Sequence, residues 1–198
     1  LFRSLLFRAA DTERFGGLGL TGYRSVTDAE HSEQMAVVTF RMPDRSGYVA
    51  FRGTDTTIVG WKEDFMLAYR TETEGQRQAA EYLDELLEKY DGPVYVGGHS
   101  KGGNLALYAA AFCSGRTQPR IIRVFSNDGP GFIMEVTERP GYRAIVPKLT
   151  RIIPEDSVVG VLLTSPEDCL VVKSSERGVM QHQAITWRAQ GTRFEYGK

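Results

Sequence analysis

Short apolar runs rich in β-branched residues alternate along this chain with stretches of helical spacing. Residues 35–40 (MAVVTF) and 48–51 (YVAF) are two such runs, separated by Pro43-Asp44-Arg45-Ser46-Gly47. A Pro/Gly turn between two β-rich runs predicts a hairpin. Over 76–90, Ala79, Leu83, Leu86, Leu87 and Tyr90 recur on one helical face, while Glu81, Asp84, Glu85 and Glu88 point elsewhere. That spacing predicts an amphipathic helix. Thr73 followed by Gln76 fits a capping box at its start, and Asp91-Gly92-Pro93 ends it. Residues 94–96 then read as a buried strand, 105–112 as an apolar alanine-rich helix, and 121–125, 149–153 and 168–172 as further strands. The Pro- and Gly-containing segment 130–148 is expected to hold short helices and loop.

Strands alternating with helices place the chain in the α/β class: a mostly parallel central sheet with helices on both faces, preceded by the hairpin strands. The length of 198 residues suits one domain spanning 1–198, with 1–34 peripheral to it. Twenty-four basic residues balance 25 acidic ones, the net charge is −1, and basic residues do not cluster. No field for nucleic acid follows from that balance. No apolar run is long enough to span a bilayer. Cys113 and Cys169 stand far apart without CxxC spacing, and two free thiols in a reducing compartment are expected. A cytoplasmic location follows as the expectation. The chain starts at Leu1 rather than Met, which is read as a sign of a longer protein. Zinc and calcium signatures are absent from the sequence, so neither metal nor cofactor is expected.

Chemistry enters at Gly98-His99-Ser100-Lys101-Gly102, a G-x-S-x-G string. In an α/β-hydrolase that string forms a tight strand-to-helix turn, which lifts the serine hydroxyl above the sheet. The string alone is weak in a chain with 21 glycines. Its frame strengthens it, because a predicted strand precedes it and a predicted helix follows. A glycine-rich turn used only for packing is the bland alternative. A phosphate loop is disfavoured, since Ser100 precedes Lys101 and the Gly-Lys-Ser/Thr order occurs nowhere. Ser100 is therefore the candidate nucleophile.

Three histidines are available as its base. His99 adjoins the serine on the elbow and reads as structural, and His31 precedes the first confident strand. His182 follows the last clear strand, where the order Ser, acid, His expects the base. Two regions compete for the acid. Asp156 follows the second strand after the serine helix and is favoured by topology, with Glu155 as a near neighbour. Asp128, in Asn127-Asp128-Gly129-Pro130, follows the first and is assigned a supporting role at the rim of the site. The oxyanion hole is expected to use the backbone N–H of Lys101 and a donor from the loop after residues 48–51, where Thr54 offers N–H and hydroxyl.

Phe51-Arg52-Gly53-Thr54-Asp55 followed by Trp61-Lys62-Glu63-Asp64-Phe65 resembles the oxyanion segment of class 3 lipases. The string Gly97-Gly98-His99-Ser100-Lys101-Gly102-Gly103-Asn104-Leu105-Ala106 is closer still to a group of bacterial lipase-like α/β-hydrolase domains. Asn127-Asp128-Gly129-Pro130-Gly131-Phe132 and Gln181-His182 before Trp187 belong to the same resemblance, which runs from about Met35 to Trp187. It implies Ser100 as nucleophile, Asp156 as acid, His182 as base and Thr54 in the oxyanion hole, with Asp64 orienting Thr54. The stretch between Thr54 and Asp64 is shorter than the lid-bearing lipase segment, so interfacial activation is not carried over.

The expected function is a serine hydrolase of carboxylic esters, lipase- or esterase-like, working through an acyl-enzyme. Its expected partner is a small-molecule ester or lipid substrate, with no nucleic acid and no integral membrane segment; the pattern assigns no oligomeric state. A hydrolase-fold binding or regulatory module with little turnover is the alternative from another class. Phe132, Ile133, Met134 and Val136 are assigned first to core packing and second to an acyl wall.

Overall fold

The computed structural model describes residues 7–28, 33–53 and 67–197 of the chain. Seven strands line up in chain order in one sheet: β1 (Gly19–Asp28), β2 (Glu33–Arg41), β3 (Gly47–Phe51), β4 (Val94–His99), β5 (Ile121–Asn127), β6 (Leu149–Pro154) and β7 (Leu170–Val172). β1 pairs antiparallel with β2 and β2 with β3, and β3 through β7 run parallel. Residues 19–28, left outside the core by the sequence pattern, extend the sheet as its edge strand. β8 (Ala189–Gln190) and β9 (Arg193–Phe194) form a separate small hairpin.

Two long helices pack on the sheet, α1 (Glu74–Lys89) and α2 (Lys101–Phe112), followed by short α3 (Met134–Thr137) and α4 (Pro140–Ile145). Val49, Phe51, Val94, Val96, Ile121 and Val124 meet Ala79, Leu83 and Leu87 of α1 and Leu105, Ala106 and Ala109 of α2 in one core. Every α2 residue from Lys101 to Ala111 is buried, because the helix lies between the sheet, α1 and α4. Alanines on such a helix let its backbone approach its neighbours closely. Phe132 and Val136 join the same core, whereas Met134 is exposed. Among the described residues no helix is long and apolar enough to cross a membrane.

The α1 start is capped as the sequence predicts. Gln76 N–H donates to the Thr73 hydroxyl at 3.2 Å, and Thr73 N–H donates to Gln76 Oε1 at 2.8 Å. Gln76 also donates from Nε2 to Asn104 Oδ1 at 2.8 Å, and Asn104 Nδ2 donates to the Gly131 carbonyl at 2.9 Å. One buried network thus ties α1, α2 and the loop after β5 together, and satisfied networks of this kind rigidify what they join. Thr73→Ala is expected to cost about 1 kcal/mol, read as a lower urea midpoint with unchanged m.

Candidate active site

The parallel strands all end on one edge of the sheet, where ligands of open α/β sheets bind. β4 reaches that edge at His99, whose register partner is Asn127 of β5. Ser100 follows at once with φ 58° and ψ −135°, and α2 starts at Lys101. A left-handed φ at a residue with a Cβ costs about 1–3 kcal/mol and persists only where surroundings enforce it. Here Ser100 N–H donates to the Asn127 carbonyl at 3.0 Å, and the Ser100 carbonyl accepts Gly103 N–H at 2.8 Å. The strand–turn–helix frame expected for the serine is therefore present. Lys101 opens α2, where the first-turn amides and the positive end of the helix dipole favour an oxyanion.

The loop after β3 presses against this turn. A Cβ on Gly102 would lie 2.3 Å from the Phe51 carbonyl oxygen and 2.9 Å from Gly53 N. A Cβ on Gly53 would in turn lie 3.2 Å from Ser100 Cβ. Backbone-to-backbone contact of that kind delivers the chain at Gly53 beside the serine. Thr54, Asp64 and Trp61 lie outside the described residues.

His182 closes a short 3-10 turn, Gly178–His182, over the same edge. Its Nδ1–H donates to Asp128 Oδ2 at 2.7 Å. The carboxylate of Asp128 is 0% exposed, and its other oxygen, Oδ1, accepts the Ser157 hydroxyl at 2.5 Å and Gly160 N–H at 3.0 Å. Gly160 must be glycine for this approach, since a Cβ there would stand 2.4 Å from Asp128 Oδ1. With Nδ1 donating, neutral His182 keeps its lone pair on Nε2, the tautomer that a general base needs.

Asp156, which topology favoured as the partner of His182, does not face it. Its Oδ2 accepts Gln181 Nε2–H at 3.0 Å and Gly178 N–H at 3.4 Å, and its own N–H donates to Gln181 Oε1 at 3.1 Å. Asp156 thus braces the turn that carries His182, and the carboxylate on the imidazole is that of Asp128. The reason lies in one backbone angle: Asp128 adopts φ 49°, a left-handed turn that Asp tolerates, and its N–H is tied to the Ile152 carbonyl at 2.7 Å. That turn aims the side chain back over the sheet edge. The Asn-Asp-Gly-Pro string signals a turn there, but not which imidazole its carboxylate meets. The neighbouring Glu155 is tied by its N–H to the Val172 carbonyl at 3.1 Å.

His99 also touches the site. Its Nε2–H donates to the His182 carbonyl at 2.6 Å, and the two rings lie 4.6 Å apart between centroids. Trp187 stands edge-on to His99, with ring centroids 6.3 Å apart, and donates its indole N–H to the Gln181 carbonyl at 2.8 Å. Burial, then the neighbouring His182, lowers the pKa of His99. The unfolded chain therefore takes up this proton more readily than the folded one. Stability is complete above the ordinary imidazole pKa of about 6.5 and falls as pH drops through it. His99→Gln is expected to flatten that acid-side decline in thermal melts taken from neutral to mildly acid pH. Both cysteines are free thiols, and burial pushes Cys113 up to about 12, which leaves it inert near neutrality.

The sequence profile of the Mbeg1-like family matches residues 9–198. The chain belongs to the Mbeg1-like family. No curated protein matches it. Among solved structures, the M37 lipase superimposes with a TM-score of 0.53 at 17% identity, over 80% of this chain. The chain spans 60% of that lipase's length. A fungal lipase–inhibitor complex, used as a model for interfacial activation, gives a TM-score of 0.56 at 16% identity, over 88% of this chain and 72% of the lipase. The triacylglyceride lipase of Rhizomucor miehei gives 0.52 at 14% identity, over 89% and 75%. At such identities the likeness speaks to the fold, and this Mbeg1-like chain has the lipase-like α/β-hydrolase fold that its sheet order and elbow describe.

Proposed function

We propose that the protein is a serine hydrolase that cleaves carboxylic esters through Ser100, His182 and Asp128. The observation that carries this reading is the 2.7 Å hydrogen bond from His182 to the buried Asp128, on the sheet edge where Ser100 holds a left-handed turn. His182 Nε2 takes the Ser100 proton as Oγ attacks the ester carbonyl, and Asp128 stabilises the imidazolium so formed. The Lys101 N–H and Thr54 receive the oxyanion. Collapse of the tetrahedral intermediate breaks the bond to the alcohol oxygen, which leaves with the proton from His182. A water deprotonated by His182 then releases the carboxylic acid and restores Ser100.

An apolar acyl group suits the surroundings. Val158, Val161 and Leu162 stand exposed on the loop whose Ser157 and Gly160 hold Asp128. Val179 and Met180 stand exposed on the His182 turn, with Val161 and Val179 at 62% and 64%. Exposed apolar residues grouped around a polar site mark a ligand surface more often than chance scatter.

The test is labelling with a fluorophosphonate, with the modified residue mapped by mass spectrometry, alongside hydrolysis of p-nitrophenyl esters of increasing chain length. Modification at Ser100, lost in Ser100→Ala and His182→Ala, together with turnover of at least one ester, is the expected result. A folded wild-type protein that neither labels nor turns over overturns the reading and leaves a hydrolase-fold binding module.

A further inference from the structure

The nucleophile and the base come from segments far apart in the chain, and both are held to one short piece of β4. His99 precedes Ser100 directly, and its Nε2–H spans 83 positions of sequence to the main-chain carbonyl of His182 at 2.6 Å. Its ring also lies under the imidazole of His182, with centroids 4.6 Å apart at 35°. We propose that His99 is a positioning residue, which fixes the backbone and ring of His182 relative to Ser100. This rests on the ester-hydrolase reading of the same site.

The need for such an anchor follows from the local chain. Gly178–His182 is a 3-10 turn followed by another, Ala184–Thr186, and neither belongs to the sheet. Asp156 grips the turn at Gln181 and, more loosely, at Gly178, and Trp187 grips it at the Gln181 carbonyl, so none of these bonds reaches His182 itself. His182 itself is gripped from outside its turn at both ring and backbone. Asp128 holds the ring at Nδ1, and His99 holds the carbonyl. Because His99 and Ser100 are consecutive, the second bond makes the distance from nucleophile to base a dimension of one strand end. A misplacement of about 1 Å at a reacting pair costs on the order of a hundred-fold in rate, so an anchor at this point has leverage.

Chemistry favours a neutral imidazole for the task. Only the tautomer with its proton on Nε2 is needed to donate to a carbonyl, and burial disfavours a second proton on His99. When His182 becomes an imidazolium during turnover, a neutral ring beside it accommodates the charge. A second cation there would oppose it.

Two variants separate the donor from the ring. His99→Phe keeps an aromatic ring beside His182 and removes the N–H. His99→Gln keeps an N–H donor at about the same reach and removes the ring. The rate constant for fluorophosphonate labelling of Ser100 is expected to fall on the order of thirty-fold in His99→Phe. In His99→Gln it should return to within about five-fold of wild type. Thermal melts at neutral pH establish that both variants are folded. In parallel, long-range 1H–15N spectra of the histidine rings should show His99 as the Nε2–H tautomer, with the His182 ring signals displaced in His99→Phe and near their native positions in His99→Gln.

Labelling of folded His99→Phe at the wild-type rate overturns the proposal. So does equal slowing in both variants, which points to loss of packing rather than of the donor. If the wild-type protein does not label at all, the ring spectra decide the anchor alone, and the hydrolase reading falls as well if no ester is turned over: unchanged His182 signals in His99→Phe overturn the anchor, and displaced signals restored by Gln support it. If His99→Phe is unfolded, the spectra of wild type and His99→Gln decide, and a wild-type His99 protonated on Nδ1 overturns the proposal.

Discussion

Asn in place of Asp128 is expected to lower kcat for ester hydrolysis by about ten-thousand-fold, with the fold intact. The direction follows from which oxygen is already engaged. Asp128 Oδ1 accepts Ser157 Oγ–H and Gly160 N–H, so an amide oxygen takes that place without disturbing either donor. The amide NH2 is then turned toward His182 Nδ1. A donor facing that nitrogen forces the proton onto Nε2, and His182 in that tautomer has no lone pair to offer Ser100. The loss is one of tautomer and charge stabilisation, so KM changes little and the melting temperature less. Asp156→Asn makes the contrast, because its carboxylate holds Gln181 and Gly178 rather than the imidazole. Its cost is expected to stay within about ten-fold, the scale of a modest misplacement. Steady-state kinetics on the best p-nitrophenyl ester measure both. Equal losses in the two variants would return Asp156 to the role of acid.

Gly102→Ala carries the largest expected effect on stability, about 3 kcal/mol of destabilisation and a melting temperature lower by roughly 10 °C. The sign runs against helix propensity, since Ala for Gly inside a helix ordinarily gains about 1 kcal/mol. Gly102 sits in the first turn of α2, where the added Cβ would stand 2.3 Å from the Phe51 carbonyl oxygen and 2.8 Å from the Arg52 carbonyl carbon. Both neighbours are backbone, so relief requires β3 and α2 to separate. That movement would carry Gly53 away from Ser100, and hydrolysis should fall further than stability alone explains. Gly115→Ala is the matched control, for nothing lies within 4 Å of its Cβ position. It is expected to leave the melt unchanged to within about 0.5 kcal/mol in equivalent stability.

Much of the architecture was legible in the residues because local rules and tertiary packing agree. The capping box at Thr73 and Gln76 starts α1 where the pattern placed it, and the 94–96 run became β4. The hairpin over 35–51 formed for the same reason: its β-rich apolar runs suit a buried sheet, and its turn residues suit the connection. The segment 130–148 resolved into α3, α4 and loop, as its prolines and glycines implied. Ser100 needed only its immediate frame, since an elbow is a local object built from a strand end, a turn and a helix start.

The carboxylate that meets His182 was a different matter. Asp128 and Asp156 both follow a strand beyond the serine helix, and nothing in either neighbourhood states which carboxylate reaches an imidazole more than twenty residues further on. The choice was made by the left-handed turn at Asp128 and by the 157–160 loop, which buries that carboxylate and supplies it with two donors. The contact of His99 was hidden for the same reason, its partner lying 83 positions away. Composition, periodicity and turn chemistry act over a few residues, so by itself the sequence determined the elements, the elbow and a short roster of chemical groups. Which groups meet depends on how strand ends converge and which polar atoms burial leaves to satisfy one another, and that only the tertiary structure decided.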